Sequence, residues 1–335
     1  MGDGMASSVA GEEWARWLAA GFVLAIGGAI GSFLNVVVYR VPLGLSLVRP
    51  GSRCPKCGTP IRPLDNIPVL GWLKLRGRCR ACREPISARY PLVELATALA
   101  FLVVAWFEPL SGGANLPFPI AWESPKQLWA LYGYHMLLVS GLMCAALLEF
   151  DGRGLPAKVV VPVLVVGLAA PFWAIWLHPQ PANASLAGRL HEHVWMLGLV
   201  DGLAGALVGV SCGLLASPAS ELGPAGRRGA MIGIVALGWT GVFLGWQAGA
   251  ACGLAVAIVY SLSVVYRPMW RGFRQLPFAG CVLAVVVAWI PLWHAITTKD
   301  PRLGSAANGW TLAFCGTCIL GLSTMAWLFG RRRVD

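Results

Sequence analysis

Not one Asp, Glu, Lys or Arg occurs between Gly229 and Tyr266. About 20 apolar residues cross roughly 30 Å of hydrocarbon, so this stretch alone holds two membrane spans, with Gln247 nearly the only break between them. Similar runs recur along the chain and predict nine transmembrane helices, at approximately 16–38, 91–107, 127–148, 158–177, 195–216, 229–247, 249–266, 277–295 and 309–330. Only 12% of the residues are charged, against about 25% in a soluble domain. The fold class expected is therefore all-α, a polytopic membrane bundle. The N-terminal "MGDGMASSVAGEEWARW" is acidic rather than basic, so the first run is expected to stay as a span and not to be cleaved as a signal.

The net charge of +11 reads first as orientation, because Lys and Arg accumulate in cytoplasmic loops. With loop 39–90 inside, alternation also puts loops 149–157, 217–228 and 267–276 and the tail "RRRVD" inside. The basic residues then divide 21 inside to 5 outside (Arg16, Lys126, Arg189, Lys299 and Arg302). This split requires an odd number of spans, with the N-terminus outside. Four regions follow: 1–38 with the first helix, an inserted cytoplasmic module at 39–90, a transmembrane core at 91–295, and an extra helix with a basic tail at 296–335.

The inserted module carries Cys54-x-x-Cys57 and Cys79-x-x-Cys82. Each pair can present two thiolates from one tight knuckle, and two knuckles complete a tetrahedral four-sulfur shell. The spacing is that of a zinc ribbon. Pro55 and Gly58 suit the first turn, and Arg80 and Arg83 favour thiolates at the second. A reducing cytoplasm argues against disulfides. Four thiolates close the shell to substrate, so the expected cofactor is structural Zn2+. Nucleic acid is not the expected partner, since the module lacks a run of aromatics for base stacking. Cys144, Cys212, Cys252, Cys281, Cys315 and Cys318 fall in spans and read as small apolar packing residues.

Three segments in this order, "GSFLNVVVYRVP" (Gly31 to Pro42), the double CxxC with "RPLDNIPVLGWLKLRGRC" (Arg62 to Cys79), and "ISARYPLVELATALAF" (Ile86 to Phe101), resemble the N-terminal part of bacterial type IV prepilin peptidases. The resemblance is strong over about 25–107 and weaker to about 295, through "GVFLGWQ" and "LPF". It implies a multi-pass protein of the bacterial inner membrane. It also implies an aspartic endopeptidase acting at the cytoplasmic face on prepilins, or on pseudopilins of type II secretion, that carry a basic leader. Many such enzymes also methylate the new N-terminus with S-adenosylmethionine. No glycine-rich nucleotide loop following a strand supports that second activity independently. The ninth span is beyond the family's usual eight.

An aspartic mechanism needs one ionised and one protonated carboxyl, and juxtaposition pushes their pKa values apart. In this family the first acid opens a D-x-D-x-x-x-x-P-D motif. Here "EFDGRGLPA" puts Glu149 at the catalytic position, Asp151 at the second acid and Pro156 at the proline, with Ala157 in place of the last aspartate. The second family acid ends G-x-G-D. Counting back from "GVFLGWQ" puts Gly233 there, and a looser placement puts Arg227 there. Glu221 is the only carboxylate between Asp201 and Asp300, and its rescue of the pair would need the loop to fold back toward Glu149. Glu149 and Asp151, two residues apart on a helix, point away from each other. The alternative expectation is therefore a descendant that has lost cleavage and acts as a membrane scaffold or binding protein.

Three further acidic positions invite a reading. Glu94 sits inside the start of a span, where a charge needs a partner or a polar cavity. Asp201 reads as an interfacial residue. His191, Glu192 and His193 form a weak His-x-His metal pattern in an outer loop.

Overall fold

The computed structural model describes residues 2–113, 116, 124–178, 194–220, 226–265 and 277–299. The predicted span 309–330, the basic tail, Glu221, His191, Glu192, His193, Cys315 and Cys318 lie outside the described residues. Regular structure among the described residues is helical apart from two isolated β-bridges. Five helices are long and apolar enough to cross a membrane, and two shorter apolar helices accompany them. The chain divides into two compact units, Met1–Gly113 and Ala114–Asp335.

The first unit is a helical hairpin with an inserted module. Helix α1 (Gly2–Arg40) pairs with α3 (Arg89–Phe107), and the five-residue α2 (Leu70–Lys74) lies in the insertion between them. Helix α3 has α1 as its partner. Glycines allow the close approach. A Cβ on Gly27 would lie 2.8 Å from Ala98 Cα, and one on Gly31 would lie 2.8 Å from Glu94 Cα. Small residues are the usual means by which membrane helices approach closely. The rings of Trp17 and Trp106 meet at a tilt of 49°, 5.4 Å between centroids, at the end of the hairpin remote from the insertion.

The second unit contains α4 (Pro125–Phe150), α5 (Ala157–Trp173), α6 (Val194–Ser220), α7 (Gly226–Val265) and α8 (Phe278–Lys299). Helix α7 is two antiparallel spans joined at Gly245, where φ 82 and ψ 168 leave helical geometry. In one straight helix Gly241 and Gly249 would stand about 12 Å apart. Instead, a Cβ on Gly249 would lie 3.0 Å from Gly241 Cα. Gly233 in the first half and Tyr260 in the second both reach Phe278, so the two halves run back alongside each other. The two spans read from the uncharged 229–266 stretch are both present, and their break falls two residues before Gln247.

Helix α6 packs along the first half of α7 through Gly205, Gly209 and Gly213. The Cα hydrogens of these glycines face the backbone at Gly241, Leu237 and Ile234, leaving no room for side chains. Helix α4 is the most enclosed, with Leu131, Leu138, Val139, Leu142, Ala145 and Leu148 fully buried. Its C-terminus therefore delivers Glu149 to an interior position.

Candidate functional site

Two constellations carry chemistry. The first is the four-cysteine module. Two similar knuckles build it: Cys54 N–H donates to Thr59 O at 3.0 Å, and Cys79 N–H donates to Glu84 O at 2.8 Å. Each knuckle is closed by a bridge, Arg53 with Pro60 and Arg78 with Pro85. Gly58 takes the left-handed turn in the first knuckle (φ 71), and Arg83 takes it in the second (φ 62). The four sulfurs all lie within 4.8 Å of one another. Cys54 Sγ is 3.7 Å from Cys82 Sγ, and Cys57 Sγ is 4.0 Å from Cys79 Sγ. A tetrahedral shell with Zn–S near 2.3 Å needs sulfur pairs about 3.8 Å apart, so the four thiols fit a tetrahedral metal.

The electrostatics of the module agree with that fit. Hydrogen bonds from Thr59 lower the Cys57 thiol to about 6, and backbone N–H groups at Cys82 and Ala81 lower Cys79. At Cys82 the backbone hydrogen bond at Glu84 lowers the pKa, but desolvation and its three thiol neighbours outweigh it and push the group to about 12. Crowded thiols cannot all ionise unless a cation is shared among them. Outside the cluster, Asp65 is buried and accepts two hydrogen bonds from Arg80, each 2.6 Å. That guanidinium holds the Asp65 carboxyl below the usual carboxylate range.

The second constellation is centred on Glu149. Helix α4 ends one residue later, at Phe150, with Asp151 as its cap and Gly152 in the left-handed region (φ 65). Gly152 N–H donates to Glu149 O, and Arg153 N–H donates to Leu148 O, both at 2.9 Å. This pair of bonds is the Schellman ending, which satisfies the last carbonyls of a helix. It turns Asp151 toward the half-exposed rim, whereas Glu149 is only 1% exposed. The Glu149 side chain crosses to α8. Its Oε1 accepts from Phe278 N–H and its Oε2 from Ala279 N–H, both at 2.8 Å. Unpaired N–H groups and the positive end of the helix dipole make a helix N-terminus a natural seat for a carboxylate.

Gly233, where the count back from "GVFLGWQ" leads one to expect the family's second aspartate, stands at the same place. A Cβ at Gly233 would collide with the Phe278 ring. The two aligned positions, 149 and 233, therefore converge on one residue, Phe278. Its backbone meets the acid, and its ring fills the space where a second acid would begin. Arg227, the looser alignment, is exposed at the start of α7. Phe278 belongs to "LPF" in the sequence, and its position one residue after Pro277, at the start of an apolar run, marks a helix N-terminus.

Comparison with known proteins identifies the family. Residues 25–107 match the model of the bacterial peptidase A24 N-terminal domain. A type 4 prepilin-like proteins leader peptide-processing enzyme of Escherichia coli O78:H11 is 34% identical over 293 residues, covering 80% of this chain and 92% of that protein. The chain belongs to the type IV prepilin peptidase family. A prepilin leader peptidase/N-methyltransferase of Pseudomonas putida is 34% identical over 205 residues, 54% of this chain and 65% of its own length. One from Myxococcus xanthus is 43% identical over 151 residues, 45% of this chain and 40% of its own length. The chain thus spans less than two thirds of these last two prepilin peptidases. No solved structure matches.

Two other acids of this prepilin peptidase family member have partners in the protein. Glu94 Oε2 accepts from Val69 N–H at 2.7 Å, which gives the intramembrane charge the partner it requires. Asp201, read in the sequence as interfacial, is instead 2% exposed and lies 3.1 Å from His178 Nδ1. His178 Nε2 faces Val242 O at 2.8 Å, and Tyr134 Oη donates to Gly167 O at 2.8 Å beside it. A carbonyl only accepts, so Nε2 is the donor to Val242 O. Sequence gave no sign of this pairing, because the partners are 23 residues apart on different elements. Cys144, Cys212, Cys252 and Cys281 are buried, as expected of packing residues.

Proposed function

We propose that the chain binds prepilin-like or pseudopilin segments at the cytoplasmic face of the inner membrane and has lost aspartic-dyad cleavage. One observation carries this reading: Glu149 is committed to the N-terminus of α8, while the Phe278 ring occupies the side-chain space at Gly233. Dyad catalysis requires two carboxyls close enough to share a proton. Both oxygens of Glu149 are taken up by backbone donors, and the position aligned with its partner has neither an acid nor room for one. The four thiols hold structural Zn2+, which would fix the two knuckles of the inserted module and supply no open coordination site. The basic loops set the orientation, with the N-terminus outside and the module and C-terminus inside.

A second reading is leader cleavage, with or without N-methylation by S-adenosylmethionine. It is favoured by the relatives, which are named leader peptidase/N-methyltransferase, and by the carboxylate retained at 149. Purified protein in detergent, incubated with a prepilin-like substrate, separates the two readings. The binding reading expects retention of substrate without leader release, in the parent and in Glu149→Gln and Glu221→Gln alike. Leader release that disappears in Glu149→Gln or Glu221→Gln would establish the second reading instead.

A further inference from the structure

The segment joining the two zinc knuckles has an unusual surface. Leu64, Ile67, Leu70 and Leu73 are 67%, 42%, 61% and 56% exposed. They recur every third residue, through a 3₁₀ turn (Pro63–Asp65) and α2. In water such a stripe would be costly, since each large aliphatic side chain left exposed forgoes the free energy of burial.

Its position along the helical hairpin explains it. Pro68 packs on Gly28 of α1, where a Cβ would lie 3.2 Å from the proline ring. Gly28 precedes the end of α1 by twelve residues, about 18 Å along the axis. Next to it, Val69 N–H is held by Glu94, five residues inside α3, about 8 Å from its start. Both contacts fall within the apolar spans Glu13–Leu43 and Arg89–Ser111. The segment therefore lies beside the membrane helices, below their ends, and not above them.

Its backbone is prepared for such a place. Backbone at membrane depth must satisfy its polar groups within the protein. The N–H groups of Asp65, Asn66, Val69, Leu70, Gly71 and Leu73 all donate to protein acceptors. The one acid of the segment, Asp65, is buried against Arg80, with Lys74 at 3.7 Å. Basic residues follow at once: Lys74, Arg76 and Arg78 are exposed. Across residues 39–90 eleven Lys and Arg face only Asp65 and Glu84. That charge complements anionic phospholipid, which attracts basic residues next to the membrane surface.

We propose that Leu64–Leu73 is a lipid-embedded interfacial element of the inserted module, with Leu64, Ile67, Leu70 and Leu73 among acyl chains and Lys74, Arg76 and Arg78 at anionic headgroups. The module is thereby held flat on the bilayer, whatever the fate of cleavage. An environment-sensitive fluorescent amino acid placed at 70 or 73 of the full chain, with 56 as an exposed control, tests this in nanodiscs containing acyl-brominated phosphatidylcholine. Bound metal per chain shows that each variant keeps a folded module. At least threefold stronger quenching at 70 and 73 than at 56 is expected. Adding phosphatidylglycerol should increase it in the parent, but not in a Lys74→Gln/Arg76→Gln/Arg78→Gln variant. Equal quenching at all three sites overturns the proposal. So does protection of 70 and 73 that rises with protein concentration without bromolipid quenching, which would place a second copy on the stripe.

Discussion

Replacing Glu149 by Gln keeps the size of the side chain but turns one acceptor into a donor that faces a backbone N–H. One of the two groups at Phe278 and Ala279 then loses its partner in the protein interior. A loss of about 1–3 kcal/mol is expected, measurable as a lower midpoint in thermal unfolding in detergent. A catalytic residue without a structural task would leave that midpoint unchanged. Gly233→Ala tests the other half of the site. The methyl must displace the Phe278 ring, and overpacking costs about 1–3 kcal/mol. Phe278→Leu should reduce that penalty, so a double-mutant cycle over 233 and 278 should show favourable coupling. The carboxylate at 149 was legible in the sequence because a charge at a membrane edge stands out. Its binding to α8 was not, because the partners are backbone N–H groups more than 120 residues away, and backbone donors leave no trace in side-chain identity.

Elements differ in how plainly local rules set them. The CxxC knuckles were readable from spacing, because a CxxC turn is a local geometry, and the structure brings their four sulfurs together. The same holds for the pair of spans in the uncharged 229–266 stretch. The turn itself was harder to place. Gln247, the polar residue, is buried, and the chain reverses at Gly245, whose φ and ψ belong to a region almost restricted to glycine. Gly245→Ala should therefore destabilise the protein by about 1–3 kcal/mol, while Gly133→Ala, in open space on α4, should not; unfolding in detergent measures both. In the inserted module the Asp65–Arg80 pair gives a pH dependence. Arg80 depresses the folded pKa of Asp65, so its contribution is complete above the unfolded carboxylate value and disappears as pH falls through the folded one. Hydrogen exchange over 62–80 should show the parent more protected than Asp65→Asn by a constant margin above roughly pH 5, narrowing on acidification.

At the scale of the whole molecule, the long apolar helices and the family relationship point to the same multi-pass membrane architecture by independent routes. Apolar length reflects the bilayer, and the family relationship reflects descent. Neither says whether chemistry survives, because a family fold outlasts loss of two side chains. The central claim is that this descendant keeps the membrane framework and the four-thiol module while its cleavage site has become a helix-capping contact. Intact-mass spectrometry of a prepilin-like substrate co-expressed with the chain tests that claim most directly. The account predicts a substrate that keeps its full leader, in the presence of the parent and of Glu149→Gln alike. A substrate shortened at the leader junction by the parent, and left whole by Glu149→Gln, would contradict it.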